Sequence, residues 1–173
     1  MDLKDIYIDK LEGIYKSNFN ITKNKKINEE IFELYAHYKE VTGRTFITKE
    51  DIIDKYEFNE HCLIKKIHRD KEGSVESILK YGIELAKKND IVKTNLEHRK
   101  SNLTFILLTS EEVCKETINK IEKFRYERYH KFYLHGTTEV RFVLVDLNKE
   151  KVYTSKAAKE LKNIYEPQKI FEY

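Results

Sequence analysis

Apolar residues recur along this chain with two different periods, and the period changes mark the elements. Leu3, Ile6, Tyr7, Leu11 and Ile14 are three to four positions apart, which places them on one face of a helix that Asp2 can cap. Gly13 weakens the end of that helix, and the loop expected after it is basic, with Lys23, Lys25 and Lys26. Residues 28–41 fit both periods. Ile31, Leu34, Tyr35 and Tyr38 suit a helix capped by Asn28, whereas Phe32, Leu34, Ala36 and Tyr38 suit a strand that turns Glu33, His37 and Lys39 outward. A strand is favoured because Thr42-Gly43 then forms a tight turn into residues 44–48 and closes a hairpin. Residues 52–58 and 61–68 read as further extended stretches, with a bend at Asn59-Glu60.

The second half is less ambiguous. Ser74 caps a helix whose Val75, Ile78, Leu79, Gly82, Ile83 and Ala86 share a face, ending near Asn89-Asp90. Residues 103–109 form a nearly continuous apolar run, as in a central strand covered on both faces. Thr109-Ser-Glu-Glu112 has the form of a capping box, and the helix it opens turns Cys114, Thr117, Ile118, Ile121 and Phe124 inward and runs to about Tyr129. Residues 140–147 give another central strand, and Asn148-Lys149-Glu150 turns it into residues 151–154. Thr154 or Ser155 then caps a last helix with Ala157, Ala158, Leu161, Ile164 and Tyr165 inward, which Pro167 ends. The order is roughly αβββαβαββα. Residues 1–173 read as one α+β domain, a mixed sheet with helices packed on it and right-handed crossovers.

Composition narrows the function more than the fold. Five glycines and one proline are about 3.5% of 173 residues, against roughly 12% in average usage. The glycines never come closer than nine residues, so neither a dinucleotide fingerprint nor a phosphate-cradling loop can be written. Twelve tyrosines and nine phenylalanines offset the high charge content and supply a core. The N-terminus lacks a basic stretch followed by an apolar one, and no apolar run approaches membrane-spanning length, so the expectation is a cytoplasmic protein without membrane contact. Cys62 and Cys114 are 52 positions apart in apolar settings and read as buried, reduced thiols. The bias toward Lys, Ile, Asn and Glu resembles that of low-GC bacterial genomes.

No catalytic signature stands out. His-Glu-x-x-His and Cys-x-x-Cys are both absent, which leaves no metal set or cofactor to assign. No serine lies between the glycines of a nucleophile elbow. Cys114 opens a helix, where a thiolate would be favoured, yet it shares an apolar stripe with Ile118 and Ile121. Asp51, Asp54, Glu57 and Glu60 raise a metal-dependent phosphodiesterase, since an αβββαβ order is that of restriction-endonuclease-like folds, but the acidic-x-Lys pair that such sites use is missing from the strands. Asp146 ends a strand, where a carboxylate commonly bonds the following turn.

The most distinctive stretch is residues 120–135, where Lys123, Arg125, Arg128 and Lys131 alternate with Tyr126, Tyr129, Phe132 and Tyr133 and end at His135. Cations neutralise phosphates and aromatic rings stack on bases, so Lys123, Arg125, Tyr126, Arg128, Tyr129, Lys131 and His135 are the candidate nucleic-acid or polyanion site. Against it, a net charge of +3 is small for a dedicated nucleic-acid binder. The first functional expectation is therefore a small cytoplasmic binding protein that self-associates, with C2 dimers the commonest assembly.

Phe32-Glu-Leu-Tyr-Ala-His-Tyr-Lys39, Glu60-His-Cys-Leu-Ile-Lys65, Val140-Arg-Phe-Val-Leu-Val-Asp-Leu147 and Lys151-Val-Tyr-Thr154 carry one further signal. Over nearly the whole chain, the sequence resembles uncharacterised bacterial and archaeal proteins with a domain of unknown function. These motifs are strand cores, so the resemblance implies a single domain and transfers no activity or site residue.

Overall fold

The computed structural model describes residues 2–45, 52–68, 74–88 and 90–172. Helix α1 (Leu3–Tyr15) precedes an antiparallel trio of strands, β1 (Asn20–Ile27), β2 (Glu30–Thr45) and β3 (Ile52–Lys66). Helix α2 (Ser74–Lys87) crosses to β4 (His98–Thr109), parallel to β3. Helix α3 (Lys115–Lys123) and the short β5 (Tyr126–Tyr129) lead to β6 (Thr137–Asp146), parallel to β4. Strand β7 (Lys151–Thr154), a 3-10 helix (Lys156–Leu161) and α4 (Pro167–Glu172) follow. One mixed sheet results, in the order β1-β2-β3-β4-β6-β5, with β7 also paired to β6. The α+β expectation with helices packed on a mixed sheet is met.

Side-chain alternation divides the core between the two faces of this sheet. On one face Leu34, Ala36, Cys62, Ile64, Ile106, Leu108, Val143 and Val145 pack under Tyr7, Leu11 and Tyr15 of α1 and under Ala158, Tyr165 and Ile170. On the other, Leu63, Leu103, Phe105, Leu107, Val140, Phe142 and Leu144 meet Val75, Ile78 and Leu85 of α2 and Ile121 of α3. The central strands are thus covered on both sides, which is why β4 and β6 read as continuous apolar runs.

Element lengths decide where that cover ends. The 14 residues of α2 span about 21 Å at a helical rise. The 15 residues of β3 span about 50 Å at a strand rise. Helices therefore protect only part of each long strand. The N-terminal halves of β3, β4 and β6 change from Leu, Ile and Phe to Glu60, Asn102, Glu139 and Arg141 on the α1 side, and to His61, Ser101 and Thr138 on the α2 side.

Several expectations need correction. Residues 30–41 are strand, as favoured, with Asn28 and Glu29 in the turn before them, but β2 runs straight through Gly43, which pairs with Lys55; the rest of the expected hairpin, residues 46–48, lies outside the described residues. The basic loop is strand β1, whose Lys23, Lys25 and Lys26 pair with Leu34, Phe32 and Ile31. No bend occurs at Asn59-Glu60, because both residues are held between β2 and β4. Thr109 does not cap α3. Its hydroxyl accepts from the Glu111 amide at 3.0 Å, and the helix starts at Lys115 with Cys114 as an exposed N-cap, not a buried thiol. The helix stops at Lys123 rather than near Tyr129, because Phe124 turns to extended backbone and sets its ring edge-on against Phe142 at 4.8 Å. The last expected helix is a 3-10 turn, and Pro167 opens α4 instead of ending a helix, using the position where its missing N–H costs nothing.

Gly82 faces the sheet from α2. A Cβ there would lie 3.0 Å from Phe142 Cζ, 3.1 Å from Val140 Cγ1 and 3.2 Å from Phe105 Cε2. Gly82→Ala gains about 0.5–1 kcal/mol of helix propensity but crowds a packed core at a cost of about 1–3 kcal/mol. Urea unfolding is expected to show a net loss of about 1 kcal/mol, and a net gain would mean that the phenylalanines repack freely.

Candidate functional site

Register builds a polar network on the uncovered part of the α1 side. Cys62, Thr104 and Arg141 are aligned across β3, β4 and β6, and Glu60, Asn102 and Glu139 form the next row. Glu60 accepts from Thr104 Oγ1 at 2.5 Å and from Asn102 Nδ2 at 2.8 Å. Burial pushes the Glu60 carboxyl up from its ordinary range, against the pull of those two donors and of Arg141. Arg141 Nη1 lies 3.8 Å from Glu60, while its Nη2 lies 3.3 Å from Glu139 and 3.5 Å from Glu160 of the 3-10 helix. Lys100 completes the set at 2.8 Å from Glu139. Beneath, the Tyr15 and Tyr165 hydroxyls share a hydrogen bond of 2.6 Å beside the buried Cys62. Burial raises both phenols and the Cys62 thiol, the latter to about 12, so these groups stay neutral. The network ties the 3-10 helix and α1 to the sheet through charge pairs and shared protons.

Histidines occupy the equivalent rows on the α2 side. His37 and His61 stack at 4.4 Å, and the Tyr35 hydroxyl meets His61 Nδ1 at 2.7 Å. His98 Nδ1 lies 2.6 Å from the His135 carbonyl, which can only accept, so that nitrogen carries a proton, and Nε2 and the Ser101 hydroxyl are 2.8 Å apart. His130 Nε2 and the Thr138 hydroxyl are 2.7 Å apart. Ser101 and His98 form a nucleophile-base pair in outline, yet both are buried with no route for a substrate, so their hydrogen bonds serve the fold.

The seven residues of the basic aromatic segment are divided by β5. Tyr126 and Arg128 stand opposite Val140 and Thr138 on the α2 side, while Glu127 and Tyr129 stand opposite Glu139 and Thr137 on the α1 side, with Arg125 beyond. Arg128 is occupied: its Nη1 donates to the carbonyls of Ala86, at 3.1 Å, and Lys87, closing the end of α2. Lys123, Arg125 and Lys131 are exposed, and His135 is half-buried with its carbonyl committed to His98. These residues do not make one cationic surface.

Instead the segment ends in an apolar hairpin tip, which the sequence reading did not identify. Phe132 is 94% exposed, Leu134 66%, Tyr133 65% and Tyr129 47%. Lys131, Phe132 and Tyr133 all have positive φ, at 44°, 52° and 73°, a run of left-handed residues without a glycine. Each costs about 1–2 kcal/mol relative to right-handed backbone. The turn is held by Leu134 N to Lys131 O at 3.1 Å, Gly136 N to Tyr133 O at 3.2 Å and His130 N to Gly136 O at 2.9 Å. Gly136, at φ 72°, allows the returning chain to lie against β4, since a Cβ there would be 2.3 Å from the Arg99 carbonyl oxygen.

Other candidates do not assemble. Asp54 and Glu60 share a face of β3 but stand six residues apart, about 20 Å at a strand rise, and Glu57 points the opposite way. Asp51 lies outside the described residues. Among the described residues, no group of three His, Cys, Asp or Glu side chains could hold a metal ion. Cys114 Sγ bonds the Thr117 hydroxyl at 3.3 Å, which lowers the thiol. Asp146 is fully buried, with Oδ1 accepting from the amides of Asn148 and Lys149 at 3.1 and 3.0 Å, so it holds the turn before β7 as its position suggested. Among the described residues, no helix is long and apolar enough to cross a membrane.

The buried histidines carry a pH signature. Burial, helped by neighbouring His37 and His98, pushes His61 down to about 3, and burial with Arg128, His98 and His135 nearby pushes His130 down to about 4. Both are neutral in the fold and take up a proton when unfolded below about pH 6.5, so acid favours the unfolded chain. Urea titrations are expected to give a proton uptake on unfolding that rises from about one at pH 6.5 to about two at pH 5, and His130→Asn to lower the value at pH 5 by about one. An uptake near zero would mean that both imidazoles are already charged in the fold.

No curated protein matches this chain. A family model described as a domain of unknown function, DUF8052, matches residues 4–167, and with nearly its whole length inside that match the chain belongs to this family.

Proposed function

We propose that this protein acts by binding and that its tip joins it to a second copy of the same chain. The observation that carries the reading is the β5–β6 tip, where Phe132, Tyr133 and Leu134 are held out in solvent by three consecutive left-handed residues. Apolar surface and backbone strain both oppose folding of an isolated chain, and strain of this kind concentrates where a shape is used. Edge pairing at the opposite side of the sheet is disfavoured, because β1 carries Lys23, Lys25 and Lys26 along its length, a charge pattern that blocks strand addition. The association belongs in the cytoplasm, where the unpaired Cys62 and Cys114 remain thiols.

Light scattering over a wide concentration range is expected to show a monomer–dimer equilibrium, and Phe132→Asp with Leu134→Asp to weaken it at least about tenfold, the loss of one or two apolar anchors. Both positions are exposed, so the variant keeps the fold. A strict monomer at all concentrations, or a dimer indifferent to the double substitution, would refute the reading.

A further inference from the structure

β5 is the last strand of its row, and among the described residues no strand pairs with its outer edge. Beyond its end on the same side of β6 stands β7, because β5 pairs with Thr137–Val140 and β7 with Val143–Asp146. Along the outer edge of β7 runs a groove of about 500 Å³, lined by Glu122, Glu150, Lys151, Val152, Tyr153, Lys162, Glu166 and Gln168. Its acidic members outnumber its lysines by three to two. The tip that projects from β5 carries Lys131 next to Phe132, so groove and tip are complementary in the sign of their charge.

A two-fold axis normal to the sheet decides how these parts meet. Such an axis keeps each face on its own side, so a residue of β5 can oppose only residues of the same parity in the second copy. Centring the pair on Glu127 sets two glutamates against each other, and centring it on Arg128 does the same with two arginines. Centring on Arg125 is no better. Centring on Tyr126, with the strand lengthened by one residue beyond its start at Tyr126, places Arg125 of each copy opposite Glu127 of the other, two charge pairs on one face, with the Tyr126 rings opposed on the other face. Continuing that ladder, Tyr129 of the second copy comes level with Val143, where β7 starts at Thr154. The second copy's tip, which turns back after Tyr129, then comes against the β7 edge at Tyr153 and Val152, where the groove lies.

We infer that two copies join antiparallel β5 edges centred on Tyr126, Arg125 facing Glu127 of the other copy, with each Phe132 tip seated in the other's β7 groove. The interface is isologous and closes with two copies, which continues one sheet through both. This rests on self-association as the role of the tip and adds to it the edge, the register and the seat.

Reversing one charge in trans tests the register. In Arg125→Glu every pair becomes Glu against Glu, and in Glu127→Arg every pair becomes Arg against Arg. Each variant alone is expected to self-associate about tenfold more weakly than the parent, from two pairs turned repulsive. Their equimolar mixture is expected to recover parent-like affinity, within about threefold, since each heterodimer pairs Glu with Arg at both sites. Recovery in a mixture of two intact proteins also excludes misfolding as the cause of either loss. If the parent dimerises and responds to Phe132→Asp but the charge variants behave like it, or if mixing restores nothing, the register is wrong while self-association stands. If the parent is monomeric, both fall. Carbodiimide treatment of a sample mixed from two isotopic labels is expected to join Lys131 to Glu122, Glu150 or Glu166 between copies, and dimers without that link would remove the groove from the interface.

Discussion

The outer edge of β6 is divided between two strands of four residues each, β5 against its N-terminal half and β7 against its C-terminal half. Everything distinctive about the molecule follows from that division. The backbone of β6 is paired on both sides, so Val140 to Val145 can be buried from both faces without unsatisfied amides. Neither short strand covers the whole edge, so the sheet ends in a step. The step leaves the edge of β5 open, forms a groove beside β7 and places the β5–β6 turn at the rim. A single longer strand in that position would remove all three features.

A second constraint is the disparity between helix and strand rise. Strands of ten to sixteen residues cannot be covered by helices of nine to fourteen, and each face therefore has an apolar half beneath helices and a polar half beyond them. Polar rows that are only partly solvated must be internally paired. The Glu60–Arg141 network does this with charge on the α1 side, and the His98–Ser101 and His130–Thr138 pairs do it with imidazole–hydroxyl hydrogen bonds on the α2 side. Three carboxylates around Arg141, the nearest at 3.3 Å, look like machinery when considered alone, but their register across β3, β4 and β6 explains them as the transition between covered and uncovered sheet.

Elements with an apolar period were legible in the sequence. The runs of β4 and β6, the stripe of α2 and the alternation of β2 each follow from burial, and burial selects residue type. β1 is not legible in the sequence, because only Ile27 of its eight residues is buried, which leaves almost no alternation. From the sequence β5 reads as the end of a helix, because four residues cannot separate a period of 2.0 from one of 3.6, and the Lys123–Glu127 spacing favours the longer one. Strand pairing between residues about 40 positions apart creates the Glu60 and His98 clusters, and one sequence does not encode that register locally. One signal was available: Asn102-x-Thr104 and Glu139-x-Arg141 are polar at alternate positions immediately before each apolar run, which marks a strand half that leaves its helical cover. The tip gave no warning, since its left-handed turn uses Lys131, Phe132 and Tyr133 in place of the glycine or asparagine that normally announces one.

The central claim is that the open edge of β5 is a pairing edge, and amide hydrogen exchange reads that edge directly. Exchange at Tyr126 to Tyr129 measured at rising protein concentration is expected to slow as copies associate, while the lysine-guarded edge of β1 keeps a constant rate. Protection at β5 that does not change with concentration, in a sample whose mass shows association, would contradict the account.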